Sequence, residues 1–125
     1  NSKQQLETIH KYIKIGKLEG AEMYESSCKL PGKGYFCRPT LFTNVAQSNR
    51  IAQEEIFGPV LAVLTFRTDD KGSKIFNMTK RMRAGVVWAN TFNKFDPSSP
   101  FGGYKESGFG REGGLHGLSA YVNIV

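Results

Sequence analysis

Val60-Leu61-Ala62-Val63-Leu64-Thr65-Phe66 is a nearly continuous apolar run, and Val86-Val87-Trp88-Ala89-Asn90 is a second. Runs of this kind, without polar alternation, read as strands buried on both faces, which is the habit of parallel sheets. Between them, Ile75, Phe76, Thr79 and Met82 fall on one face of a helix predicted from Ser73 to Arg83. Asp69 or Asp70 would cap that helix and Gly85 would stop it. Strand, helix and strand within about thirty residues make the βαβ pattern, so the expected fold class is α/β with a parallel sheet.

Working outward, Leu6, Ile9, Tyr12 and Ile13 recur at near-helical spacing between Ser2 and Gly20. Ser2 is the candidate N-cap, Gly20 the natural stop and Gly16 a weak point inside. Ala21 to Tyr24 reads as a short strand, and Pro31-Gly32-Lys33-Gly34 as a turn. Tyr35 to Phe42 is β-prone but interrupted by Pro39, which suits an edge strand or an extended arm. Arg50 to Phe57 has room for one or two helical turns before Gly58-Pro59. Downstream of Asn90, Thr91 to Gly114 is a long irregular stretch rich in Phe, Gly and Pro. Loops of that length in a compact domain usually carry function.

The 125 residues fit a single domain, and the 39% apolar and 22% charged content is ordinary globular usage. No apolar run approaches the ~18 residues needed to cross a bilayer. The N-terminus opens into a polar helix pattern without the apolar stretch of a signal peptide. Seventeen Lys and Arg against eleven Asp and Glu leave a charge of +6, spread along the chain as on a solvated basic surface. Cys28 and Cys37 read as reduced thiols; His10 and His116 stand far from them and no C-x-x-C occurs, so no metal site is expected.

Three features bear on chemistry. Gly108 to Gly113 matches G-x-G-x-x-G, but no buried strand precedes it and the chain ends within twelve residues of it. The dinucleotide reading therefore fails, and these glycines are expected to form a tight loop into a short helix near Leu115. Glu54-Glu55 pairs carboxylates before Phe57 and a forced turn, which fits acid–base work, ribose hydrogen bonding or simply a solvated helix face. Phe92, Phe95, Phe101, Tyr104 and Phe109 crowd one loop, as a pocket lining, an oligomer contact or local core.

Three stretches carry a resemblance: Glu54-Glu55-Ile56-Phe57-Gly58-Pro59-Val60, then Met82 to Thr91, then Pro100-Phe101-Gly102-Gly103-Tyr104-Lys105-Glu106-Ser107-Gly108-Phe109-Gly110-Arg111-Glu112. Together with Gly16 to Ala21 and Gly34 to Phe42, in this order, they resemble the C-terminal part of the NAD(P)-dependent aldehyde dehydrogenase superfamily. The resemblance implies a doubly wound parallel sheet across residues 1–125, part of that family's catalytic domain. It implies NAD or NADP as cofactor, Glu55 hydrogen-bonding the nicotinamide ribose and Phe57 packing beside it. Phe95 and Phe101 would line the aldehyde tunnel and Glu112 would relay protons, with Lys105 and Arg111 serving loop structure. Cys37 would be a packing residue. In the family a Cys thiolate attacks the aldehyde, an Asn and a backbone N–H hold the oxyanion, and a Glu activates water. The resemblance places all of these upstream of Asn1, so the chain supplies no nucleophile.

The reading that follows is part of an enzyme oxidising aldehydes to carboxylic acids, inactive as an isolated fragment. Its expected partners are the aldehyde, the remainder of the enzyme and sister subunits in a homo-oligomer, with no nucleic acid and no membrane. The expected location is the cytoplasm, with mitochondria or another organelle left open. The alternatives are a truncated, non-catalytic relative associating through Ala120 to Val125, and a basic aromatic nucleic-acid binder. Relatives carry a further helix and strand where Arg67 to Gly72 joins directly to Ser73. The resemblance thus implies a missing segment near residues 67–73, to be marked by a Cα separation well beyond ~3.8 Å.

Overall fold

The computed structural model describes residues 2–66 and 73–123. The expected join at 67–73, the capping Asp69 and Asp70, and the last two residues lie wholly or largely outside the described residues. The chain divides into two units, Asn1–Arg67 and Thr68–Val125.

The first unit is α/β. Helix α1 (Lys3–Leu18) starts where Ser2 accepts a hydrogen bond from the Gln5 N–H on its side-chain oxygen. It stops as expected at Gly20, whose φ is 87°. There the N–H of Ala21 donates to Gly16 C=O and that of Gly20 to Lys17 C=O, the paired bonds of a Schellman ending. Strand β1 (Glu22–Glu25) follows, then β2 (Thr40–Thr43), the short helix α2 (Arg50–Gln53) and β3 (Val60–Ala62).

The sheet order is β1-β2-β3, antiparallel between β1 and β2 and parallel between β2 and β3. The sheet is therefore mixed. Its parallel connection runs from β2 through α2 to β3, and not between the 60–66 and 86–90 stretches. Pro39 precedes the pairing instead of interrupting it. Residues 35–39 have no regular secondary structure, and β2, for which an edge position was one expectation, is the central strand.

Register puts Met23, Phe42 and Ala62 in one row, on the core face. Phe42 is fully buried among Ile9, Ala21, Val45, Ile51 and Ile56. The next row, Tyr24, Leu41 and Leu61, lies on the opposite face, where Tyr24 and Leu61 are exposed. That corrects the expectation of a strand buried on both faces. Within this unit α1 and α2 cover only one side of the sheet, and Val63, Leu64 and Phe66 are also exposed.

The second unit holds α3 (Ser73–Arg81), a single 3-10 turn at Lys105–Ser107 and α4 (Gly114–Leu118). Ile75, Met78 and Thr79 of α3 are half-buried, whereas Phe76 and Met82 are exposed and Phe76 lies under the Lys80 ammonium. Val86 to Asn90, expected as a buried strand, forms none. Val86 to Trp88 are half-buried, and no ladder partner stands beside them among the described residues of this unit. A strand exists only where a neighbour takes up its backbone hydrogen bonds. Ala120 to Val122, in the stretch through which the shortened relative would associate, form no strand and continue α4 as a turn, with the Tyr121 N–H donating to Leu118 C=O. The glycine run does lead into a short helix, with Gly113 at the N-cap of α4.

Gly16 is not a weak point. A Cβ built there would stand 2.9 Å from Phe42 Cζ and 3.0 Å from Ile51 Cδ1, so its bare backbone sets how closely α1 lies on β2. A side chain at an exposed helical glycine gains up to ~1 kcal/mol of helix propensity. Here overpacking reverses the sign, and Gly16→Val should cost about 1–3 kcal/mol. A urea unfolding midpoint at or above that of wild type would refute this account of the packing.

Candidate functional site

The turn from Glu54 to Gly58 joins α2 to β3. A four-residue helix is not stable alone, and α2 is held at both ends by α1. Glu19, just past the end of α1, accepts the Arg50 N–H on its carboxylate at 2.9 Å. Buried Asn49 accepts the Ala46 N–H at 2.6 Å and donates to Glu19 C=O at 3.3 Å. At the other end Arg50 grips Glu54 with two bonds of 2.8 Å, Nε to Oε1 and Nη2 to Oε2. The Tyr12 hydroxyl donates to Glu54 Oε2 at 2.5 Å, and the Arg50 guanidinium lies 5.5 Å from the Tyr12 ring centroid. Glu54, exposed at the C-cap of α2, is therefore also a tie between α1 and α2.

These bonds set the local electrostatics. Hydrogen bonds from Arg50 and then Tyr12 hold the Glu54 carboxyl down at about 2. The same carboxylate pushes the Tyr12 phenol and the Arg50 guanidinium up. Beyond Glu54, Glu55 is exposed, Ile56 is buried in the core, and Phe57 is 71% exposed with a φ of 55°. Left-handed backbone at a bulky residue is uncommon and strained. Glu55 and Phe57 thus stand on either side of a buried anchor, and both are exposed.

Beside this turn lies an open groove of about 250 Å³, lined in part by Gln5, Ile9, Tyr35, Phe36, Cys37 and Pro59. Cys37 packs against the core, and burial pushes its thiol pKa up, which is the wrong direction for a thiolate nucleophile. Cys28 is a free, exposed thiol.

In the second unit Trp88 organises the aromatic loop. Its indole N–H donates to Lys94 C=O at 2.8 Å. Edge-to-face contacts join Trp88 to Phe92 and to Phe95 at 5.5 Å each, and Phe95 to Phe101 at 5.1 Å. Phe92, Phe95, Phe101, Tyr104 and Phe109 are all exposed, so the cluster is not a local core. Phe101 and Glu112 exchange both backbone hydrogen bonds at 2.7 Å, closing the base of the 101–112 loop. The structure thereby brings Phe95, Phe101 and Glu112 together, while Glu55 and Phe57 form a separate pair in the first unit. Sequence reasoning missed Tyr12, Gln5 and Trp88. Arg50 and Glu54 carried a readable signal in their i,i+4 spacing, whereas Tyr12 lies 42 positions from Glu54.

The lowered Glu54 carboxyl makes a pH prediction. Its contribution to stability is complete above the unfolded carboxyl value of about 4.3 and is lost as pH falls through about 2. Both partners of the Arg50 pair are at least 40% exposed, so the effect is small. Glu54→Gln should lower the thermal midpoint at neutral pH, with the difference from wild type shrinking steadily from about pH 5 towards 2. A difference that stays constant over that range would refute the ion pair as its source.

A family model described as "Aldehyde dehydrogenase family" matches residues 1–80 and 70–125. Aldehyde dehydrogenase 1 of Tanacetum cinerariifolium is 43% identical over 99% of the chain. The putative aldehyde dehydrogenase DhaS of Bacillus subtilis is 40% identical over 98%. The chain spans 29% of the length of each. Among solved structures, the P. syringae indole-3-acetaldehyde dehydrogenase AldA, in complex with NAD+ and IAA, superposes with a TM-score of 0.74 at 36% identity. The aldehyde dehydrogenase KauB from Pseudomonas aeruginosa superposes with a TM-score of 0.75 at 34% identity. Each structural match covers 96% of this chain and 29% of the other. Three motif blocks in order, the α/β first unit and matches across nearly the whole length lead to one conclusion: the chain belongs to the aldehyde dehydrogenase family.

Proposed function

We propose that this chain works as part of an enzyme that oxidises aldehydes to carboxylic acids with NAD+ or NADP+, supplying cofactor and aldehyde contacts but no nucleophile. The observation that carries this reading is the Glu55–Phe57 pair, exposed on a turn whose middle residue, Ile56, is locked in the core. A nicotinamide riboside offers ribose hydroxyls and a flat ring. A carboxylate accepts from the hydroxyls, and an exposed aromatic face packs beside the ring. The residues present fit the cofactor, which supplies the hydride acceptor when bound.

In the second unit Phe95 and Phe101 meet edge to face and offer apolar surface for an aldehyde chain. Glu112, an exposed carboxylate on the strand bridge opposite Phe101, is assigned the proton relay in this reading. Cys37 is not built as a nucleophile, since it is packed with its thiol pKa raised. The attacking group then comes from the remainder of the enzyme, with sister subunits in a homo-oligomer, in the cytoplasm. We also propose that a segment of the relatives is missing near residues 67–73. The alignment to the Tanacetum relative runs over 144 positions against 125 residues here, and the two family matches meet at 70–80. The second reading is a shortened, non-catalytic relative acting by association, which the uncovered Tyr24 and Leu61 row favours.

The readings separate by experiment. The isolated chain should form no NADH from any aldehyde, and turnover above a protein-free blank would overturn the fragment reading. In the intact enzyme Glu55→Gln should weaken NAD+ handling by about 1.5–3 kcal/mol, the worth of a charge-assisted hydrogen bond, and spare the aldehyde KM. Phe95→Ala and Phe101→Ala should shift preference between slim and bulky aldehydes and spare NAD+; a uniform loss of stability would make both rings core residues. Peptide sequencing of the natural protein from Phe66 to Ile75 decides the missing segment. Direct continuity there would favour the shortened relative.

A further inference from the structure

In the antiparallel β1–β2 pair each step up one strand is a step down the other, from Glu22↔Thr43 to Glu25↔Thr40. The pairing runs on past the strands. At the first step beyond them the Ser26 N–H donates to Pro39 C=O at 3.0 Å, and Pro39 has no N–H to return. At the second, Arg38 falls opposite Ser27 and ties the residues around it: Nε donates to Cys28 C=O and Nη1 to Glu25 Oε2, both at 3.2 Å. The third step of the same register sets Cys28 opposite Cys37. Opposed residues of an antiparallel pair lie about 4.5–5.5 Å apart at Cα, inside the roughly 4.4–6.8 Å that a disulfide spans. In this structure both thiols are free and the ladder is open at that step. The Cys28 N–H turns back to Ser26 Oγ at 3.2 Å, and Cys37 packs against the core. Opposed residues share a face, and two-residue alternation gives Cys28 the face of Tyr24, which is the outer one. Closing a bridge there takes Cys37 off the core.

We propose that Cys28 and Cys37 are a reversible thiol–disulfide pair that closes the 29–36 loop at the end of the β1–β2 ladder. The oxidant is a small-molecule disulfide of the glutathione type. The exposed Cys28, as thiolate, attacks one of its sulfurs, forming a mixed disulfide and expelling one thiolate. The Cys37 thiolate then attacks Cys28 Sγ, closing the bridge and expelling the second. Two cysteine thiols are oxidised, the small disulfide is reduced to two thiols, and the two cysteine protons pass to them. Packing keeps the Cys37 thiolate fraction low, and nearness to Cys28 compensates. Loop closure favours the bridge, whereas lifting Cys37 from the core opposes it. Exposed or strained bridges of this kind are the labile, regulatory ones. Cys37 also lines the groove beside the Glu54–Gly58 turn, so oxidation withdraws one side chain from the wall of that groove.

The test equilibrates the protein with reduced and oxidised glutathione at varied ratios, quenches with an alkylating agent and follows the products by mass spectrometry. Trypsin locates the bond, because Lys29 and Lys33 are exposed and lie between the two cysteines. The expected product is a monomer lighter by the two thiol hydrogens, whose halves stay joined after cleavage in the loop until a thiol is added. In Cys37→Ala the glutathione adduct should come to rest on Cys28, and in Cys28→Ser no bridge should form. Oxidation should slow exchange of the Ser26 amide, which donates to Pro39 C=O, by about thirtyfold, the low end of what a loop-closing bridge contributes. Neither variant should show that slowing. Cys28 is exposed, so Cys28→Ser keeps the fold and carries the comparison alone if Cys37→Ala does not. A glutathione adduct that persists on Cys28 in wild type would overturn the pairing, as would disulfide-linked dimers in place of the internal bridge. A bridge that excess thiol fails to open would overturn its reversible role.

Discussion

The bare backbone of Gly16 against the ring of Phe42 is the contact on which the first unit depends. Phe42 is fully buried in the central strand, and α1 can reach it only because no side chain stands between. That approach fixes the height and rotation of α1 over the sheet. Rotation decides which α1 residues face the Glu54–Gly58 turn, and height decides whether Gln5 reaches Phe57 C=O and Tyr12 reaches Glu54. Glu19 and the Schellman ending carry the same placement on to α2 and β1. A helix that sat higher by one methyl group would still be a helix, but it would no longer hold that turn.

Where local chemistry decided the structure, the sequence was readable. The Ser2 cap, the Gly20 stop and the apolar spacing of α1 depend on neighbours a few positions away, and helix, ends and face agree with expectation. Where the answer depended on distant partners, it was not. Val60 to Phe66 and Val86 to Asn90 have strand composition, but burial on two faces needs layers this unit does not supply, and pairing needs a second strand. Pro39 looked like an interruption because the strand's start is set by pairing: the Thr40 N–H meets Pro59 C=O from across the sheet.

The site divides in the same way. Composition and the forced turn drew attention to Glu54 and Glu55, but the two adjacent carboxylates proved unlike. Glu54 is tied to Tyr12 and Arg50 while still 40% exposed, and Glu55, exposed as well, takes no part in that tie. Nothing in the pair itself says which is which; the partner that decides it sits on α1. The aromatic loop was legible as a cluster, because its residues are near in sequence. Its centre, Trp88, was not, because the apolar run Val86 to Asn90 has the composition of a strand.

The left-handed Phe57 sets robustness against utility at a single position. Asn or Gly would relax that backbone, and either would remove the ring. Selection for heat resistance alone would therefore drive this position away from phenylalanine, and a thermostabilised descendant that had lost the aromatic there would have traded away the exposed ring on which the proposed cofactor contact rests. Improvement of this protein by stability screening is safest with residue 57 held constant and the search confined to the helices and the exposed outer row of the sheet.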